Sequence, residues 1–376
     1  MSNSIQQYIH SKIEERRAEN NFRSLKIKKG LIDFCSNDYL GFARDNELKK
    51  RVEDELSAHP ELPLGSTGSR LLSGNSEYAE QLEAFLANFH QSETALIFNS
   101  GFDANYGLLS CLPYKGDTVI YDELVHASIH DGIKKSKASS TPFAHNNTSE
   151  LEQRLNFATG LKYVVVESVY SMDGDFAPLT EIAALCKKHN AGLIVDEAHA
   201  TGVFDNRGEG RVQQLGLAHQ CLARIHTFGK ALGAHGAVIL GSKDLKNFLI
   251  NYCRPFIFST ALPFASLANI KCAYQYLPLV NKNREKLFHL IQLFKENLSP
   301  IDKFKLINSD SPIQSIIVSG NGDVKNFAAQ IEAAGFDARP ILYPTVARGK
   351  ERIRICLHSF NTEEEVIRLA KLISTL

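Results

Sequence analysis

GLIVDEAH, residues 192–199, passes from a run of apolar residues to two acids and a histidine with no turn between them. An apolar run that does not alternate fits a strand buried on both faces, as a parallel sheet requires. Asp196 and Glu197 then fall at the carboxyl end of that strand, where open parallel sheets bind their ligands. The same form recurs in both directions along the chain: ALIF (95–98), DTVIYD (117–122) and KYVVVE (162–167) before it, RIHTF (224–228) and AVILG (237–241) after it. Between them PLTEIAALCKKHN (178–190) reads as a helix, with Pro178 near its start and basic residues in its last turn. Strands alternating with helices predict a doubly wound α/β domain. After residue 280 the rhythm changes. Residues 283–298, 324–335 and 362–376 read as helices, and SIIVSG (315–320) and RIRICL (352–357) as strands. Residues 3–20 read as a polar amphipathic helix. The expected division is an N-terminal arm over 1–40, a large α/β domain with a mostly parallel sheet over 41–280, and a smaller C-terminal α+β domain over 281–376.

A chain of 376 residues exceeds one comfortable core, which agrees with that division. Lysine plus arginine and aspartate plus glutamate both number 42, so no overall basic field exists to hold nucleic acid. No apolar run reaches the length needed to cross a bilayer, and the N-terminus lacks the apolar centre of a signal peptide. The seven cysteines are scattered without a C-x-x-C pair. That pattern suits reduced thiols in a cytoplasm rather than a disulfide frame or a zinc site.

The strand ends share one chemical character. ALIF leads to Asn99-Ser100-Gly101-Phe102, DTVIYD to His126, YVVVE to Ser168 and Ser171, GLIV to Asp196 and His199, and RIHTF to Gly229-Lys230. Lys230, behind an apolar strand, stands where burial would favour the neutral amine that imine chemistry needs. Taken alone it is a solvated loop lysine. With Asp196 at another strand end, it gains a carboxylate suited to face a pyridinium nitrogen. His199 suits a bond to that acid or to a phenolic oxygen, or a satisfied place in the core. His126 suits stacking on an aromatic ring; its i, i+4 partner His130 suggests a metal, but H-A-S-I-H lacks the glutamate of H-E-x-x-H, and no metal is expected. Ser100-Gly101-Phe102 opens a helical stretch whose free N–H groups suit a phosphate. A nucleotide-hydrolysing reading of LIVDEAH requires a G-x-x-x-x-G-K-[ST] loop, which the sequence does not contain.

Together, CSNDYLG (35–41), GSTGSRLLSGN (65–75), SMDGD (171–175), VDEAHATG (195–202), HTFGK (226–230) and IFSTALP (257–263) resemble the α-oxoamine synthases, pyridoxal-phosphate (PLP) enzymes of fold type I. The resemblance runs nearly end to end. It implies a homodimer in which Lys230 holds PLP as a Schiff base and removes the substrate's α-proton. Asp196 would meet the ring nitrogen, His126 stack on the ring, and Ser171 and His199 contact the phenolic oxygen. Gly101, Phe102, Thr227 and Thr260 of the partner subunit would hold the phosphate. Asn37 and Arg354 resemble the groups that hold the amino acid's carboxylate, with Arg352 as the alternative. Ala79 and Phe264 depart from the family, which often has histidine and proline there. TFGKALGAHGA and YPTV (343–346) point to the branch that joins L-alanine to a pimeloyl thioester, carried on coenzyme A or an acyl carrier protein. Glycine with acetyl-CoA is the alternative, and an aminotransferase of the same fold a remoter one.

Overall fold

A computed structural model describes residues 4–25, 27, 30–299 and 304–376. Asn3, the first residue of the expected arm helix, lies outside the described residues; the helix is seen over Ser4–Ala18. The chain divides into two compact units. One comprises Asn37–Ser171 and Phe176–Glu285; the other comprises the chain up to Ser36, Met172–Asp175 and Lys286–Leu376.

The larger unit is built on a seven-stranded sheet. Across it the strands run Thr94–Phe98, Ala237–Gly241, Cys221–Thr227, Ala191–Asp196, Lys162–Glu167, Thr118–Asp122 and Ser139–Phe143. Ala237–Gly241 is antiparallel to both its neighbours, and the remaining pairings are parallel. The central strands are apolar because helices cover both faces: Val164, Val166, Ile194, Val195, Ile225 and Val238 are all buried. Ser139–Phe143 had no apolar run to announce it. It is an edge strand, mostly exposed, and Pro142 is tolerated there because one side of the strand needs no ladder bond. Helices begin on side-chain caps that satisfy their free N–H groups: Ser76 accepts from Ala79 N and Ser100 from Asp103 N.

The smaller unit carries a four-stranded antiparallel sheet in the order Arg339–Ile341, Arg352–Cys356, Ile313–Ile317 and Lys305–Leu306. Ile32–Asp33 pairs in parallel with Phe336–Asp337, and Cys356 N donates to Phe34 O, which fastens the N-terminal segment to this unit. The turn Met172–Asp175 is fastened to it as well: Ser315 Oγ donates to Met172 O (2.6 Å) and Ser309 Oγ to Gly174 O (2.8 Å). Gly174 has φ +79° and lies so close to the sheet that a Cβ would fall 2.3 Å from Ile313 O, so only glycine fits. The last helix, Glu363–Thr375, opens on a reciprocal Thr362–Glu365 capping box. No described helix is long and apolar enough to cross a membrane.

Candidate active site

The carboxyl ends of the parallel strands in the larger unit gather most of the candidate residues. Asp196 closes its strand and is 5% exposed. Its Oδ1 accepts from Ala198 N (2.8 Å), and its Oδ2 from Asn105 Nδ2 (2.7 Å). Asn105 lies in the helix Gly101–Cys111, whose first turn is the candidate phosphate cradle, and is itself buried. Its second amide hydrogen goes to Ser128 Oγ (3.1 Å), which in turn lies 2.8 Å from His126 Nδ1. One buried relay therefore joins Asp196, the cradle helix and His126.

The relay fixes the state of His126. Ser128 N also donates to His126 Nδ1, at 3.2 Å, so that nitrogen acts as an acceptor and the proton of the neutral ring sits on Nε2. Desolvation, opposed by Asp196 and reinforced by Lys230, lowers the ring's proton affinity below its ordinary value. A neutral, flat imidazole beside Asp196 and Lys230 suits stacking on an aromatic ring. His130 is engaged elsewhere, its ring packed edge-on against Tyr121 at 5.2 Å between centroids.

Lys230 follows the strand Cys221–Thr227 in a turn closed by Gly233 N donating to Lys230 O (2.9 Å) and Ala234 N to Phe228 O (3.0 Å). It is half-buried and close enough to His126 and to Glu167 to shift the titration of both. Thr227, at the end of the same strand, lies against Gly101: a Cβ on Gly101 would sit 2.3 Å from Thr227 Oγ1. The first turn of a helix, with a threonine hydroxyl pressed against it, suits an anion. Phe102 is exposed, its ring stacked on Tyr106 one helical turn on. Thr260, exposed, has its carbonyl bonded by Asn99 Nδ2 (2.8 Å) of the same chain.

His199 meets Tyr39: its Nδ1 lies 2.8 Å from the Tyr39 hydroxyl, which donates to Asn37 Oδ1 at 3.1 Å. Asn37 and His199, named separately from the sequence, are thus linked through a tyrosine. Ser171 is buried, and its N–H donates to Glu167 Oε2 (3.2 Å). Glu167 closes its strand in register with Asp196 and is 2% exposed. Burial, with Asp196 alongside, pushes its pKa up to about 8.

Arg354 lies in the smaller unit, buried on the strand Arg352–Cys356 and in register with Ser315 and Arg339. Arg352, two residues earlier, is committed to Asp173 and donates to Lys350 O (2.9 Å). Arg352 thus has a structural occupation within its own unit.

These residues suit PLP. The Gly101–Thr227 contact offers an anion cradle, Asp196 a carboxylate held by two donors, and Lys230 an amine. Asn105, Ser128, Tyr39 and Glu167 were not singled out from the sequence. Glu167 left a signal as the acidic last residue of KYVVVE, and Tyr39 lies within CSNDYLG.

The model of the aminotransferase class I and II family matches residues 29–373. The chain is 43% identical over 371 residues to an 8-amino-7-oxononanoate synthase of Emericella nidulans, covering 92% of this chain and 89% of that protein. It is similar in structure to the serine palmitoyltransferase of Sphingomonas wittichii, with a TM-score of 0.86, 29% identity, and 92% and 86% of the two chains covered. It is also similar to a structure of SPT with PLP as internal aldimine, with a TM-score of 0.89, 26% identity, and coverage of 99% and 97%. The chain belongs to the aminotransferase class I and II family, in its α-oxoamine synthase branch, and is a PLP-dependent acyltransferase.

Proposed function

We propose that this enzyme joins L-alanine to a pimeloyl thioester and releases carbon dioxide and the free thiol, giving 8-amino-7-oxononanoate, a step of biotin synthesis. The likeness to the fungal 8-amino-7-oxononanoate synthase over nine-tenths of the chain carries the choice of substrates. PLP, when bound, supplies the electron sink that lets a bond at the amino acid's α-carbon break.

The chain's own residues divide the remaining work. Lys230 Nζ would hold the cofactor, and it is the base for the amino acid's α-proton. Asp196, held by Ala198 N and Asn105 Nδ2, presents a carboxylate to the ring nitrogen. His126, neutral with its proton on Nε2, stacks on the ring. Gly101, Phe102 and Thr227, with Thr260 from the partner subunit, hold the phosphate. His199 and Ser171 reach the phenolic oxygen, and the Tyr39 hydroxyl orients the imidazole of His199. Arg354, with Asn37, holds the amino acid's carboxylate until it leaves as carbon dioxide; a bidentate guanidinium matches that ion.

A homodimer belongs to this reading, and the apolar residues Ile5, Tyr8, Ile9 and Ile13, exposed along the helix Ser4–Ala18, support a contact with a second copy. The seven cysteines are all free thiols, which supports a reducing cytoplasm.

The purified enzyme is incubated with L-alanine, glycine or serine against pimeloyl, acetyl or palmitoyl thioesters, and carbon dioxide and aminoketone are followed. Turnover greatest with alanine and the pimeloyl donor supports the reading. Greater turnover with glycine and acetyl-CoA, or with serine and the palmitoyl donor, assigns another α-oxoamine synthase. Amino-group exchange with a 2-oxo acid, without carbon dioxide, makes it an aminotransferase.

A further inference from the structure

Glu167 and Asp196 end neighbouring strands, in register with one another, and both are almost wholly buried. Adjacent in-register residues of a parallel pair project from the same face of the sheet, with backbones about 4.8 Å apart. Two carboxyls so placed, away from water, do not both hold a negative charge; one keeps its proton.

The hydrogen bonds decide which. Asp196 has a donor on each oxygen, at 2.8 and 2.7 Å. Glu167 Oε2 accepts from Ser171 N at a longer 3.2 Å, the backbone of His126 is also turned toward the carboxyl, and Oε1 has no partner at hydrogen-bonding distance. A carboxylate oxygen buried without a donor is costly, whereas a protonated oxygen there carries its own hydrogen. The groups facing Glu167 are Asp196, Lys230 and the backbones of His126 and Ser171. Lys230 favours ionisation, but burial and Asp196 outweigh it.

We propose that Glu167 is a positioning residue of the cofactor site, a neutral carboxylic acid that holds the Ser171 turn and leaves Asp196 as the single negative charge beside the ring nitrogen. The proposal rests on the assignment of Asp196 to that nitrogen. Its first consequence is that the Glu167 hydroxyl is a hydrogen-bond donor near Lys230, in a place where an ionised glutamate would only accept. Its second is that the amide of glutamine, also neutral, can accept from Ser171 N and donate from its other end, whereas alanine can do neither.

The test uses infrared difference spectra of the cofactor-free and cofactor-loaded protein near pH 7, with Glu167→Gln, Glu167→Ala and Asp196→Asn. The wild type should show the band of a protonated carboxyl, absent in Glu167→Gln and fading as the pH rises through about 8. Glu167→Ala should weaken cofactor binding up to about tenfold, as expected for one lost buried hydrogen bond. Glu167→Gln should restore most of that affinity. The proposal is overturned if no protonated-carboxyl band depends on Glu167, if glutamine does as much harm as alanine, or if alanine does none. Should Asp196→Asn keep wild-type cofactor affinity and spectrum, the assignment of Asp196 fails instead. The Glu167 band still reports on its protonation in that case, so the two failures are told apart.

Discussion

Replacing Asn105 by leucine, close to it in size, removes both bonds of the relay without opening a large cavity. The bond to Asp196 Oδ2 is 2.7 Å, within the short range of charge-assisted bonds, and such bonds contribute about 1.5–3 kcal/mol. The bond to Ser128 Oγ, at 3.1 Å between neutral groups, contributes about 0.5–1.5 kcal/mol. The variant should therefore lose about 3 kcal/mol of stability, most of it because a buried carboxylate oxygen loses its donor. Ser128→Ala removes only the weaker link to Asn105, together with the hydroxyl near His126 Nδ1, and should cost about 1–2 kcal/mol. Because the two residues are bonded to each other, each single variant already removes that bond, and the double variant should cost less than the sum of the single ones. Urea denaturation of the cofactor-free proteins, followed by circular dichroism, measures all three. If Asn105→Leu costs no more than Ser128→Ala, or if the double variant is additive, the relay does not hold Asp196 as argued.

His90 and His226 are fully buried, their rings 4.0 Å apart, and burial holds both far below the ordinary histidine value of about 6.5. Each is neutral in the fold, while the unfolded chain gains a proton below that value, so each contributes stability above about pH 6.5 that is lost on acidification. Relative to wild type, His226→Phe should therefore gain about 1.4 kcal/mol per pH unit between pH 6.5 and 5, read from denaturation midpoints; a pH-independent difference refutes it. Arg354→Ala should weaken amino-acid binding by about 2–5 kcal/mol, at least about thirtyfold, while the cofactor stays bound, measured by spectral titration with alanine. Unchanged affinity would move the role to Arg352, although Arg352→Ala should chiefly destabilise the smaller unit by leaving Asp173 without its cation.

The sequence disclosed the sheet wherever strands are buried on both faces, because Val164, Ile194 and Ile225 leave an unbroken apolar signature. It did not disclose Ser139–Phe143, where an edge position removes the need for apolar residues. The candidate residues at strand ends were legible because the topology of a parallel sheet collects those ends at one rim. The residues that orient them were not. Asn105 lies 91 residues from Asp196 in the chain and sits inside an ordinary helix, so only packing reveals the bond. Tyr39 reaches His199 across 160 residues in the same way. Glu167 was visible as a strand-end acid, but its register with Asp196 is a property of strand pairing, not of the run KYVVVE itself.

Reducing the PLP-loaded enzyme with borohydride and mapping the labelled peptide shows which lysine carries the cofactor. Lys230 is the lysine that follows the strand next to Asp196 in the sheet and lies close to His126 and Glu167. A single pyridoxyl group is expected, on Lys230, in the peptide containing HTFGK. A label on another lysine, or none on protein that has taken up PLP, would contradict it.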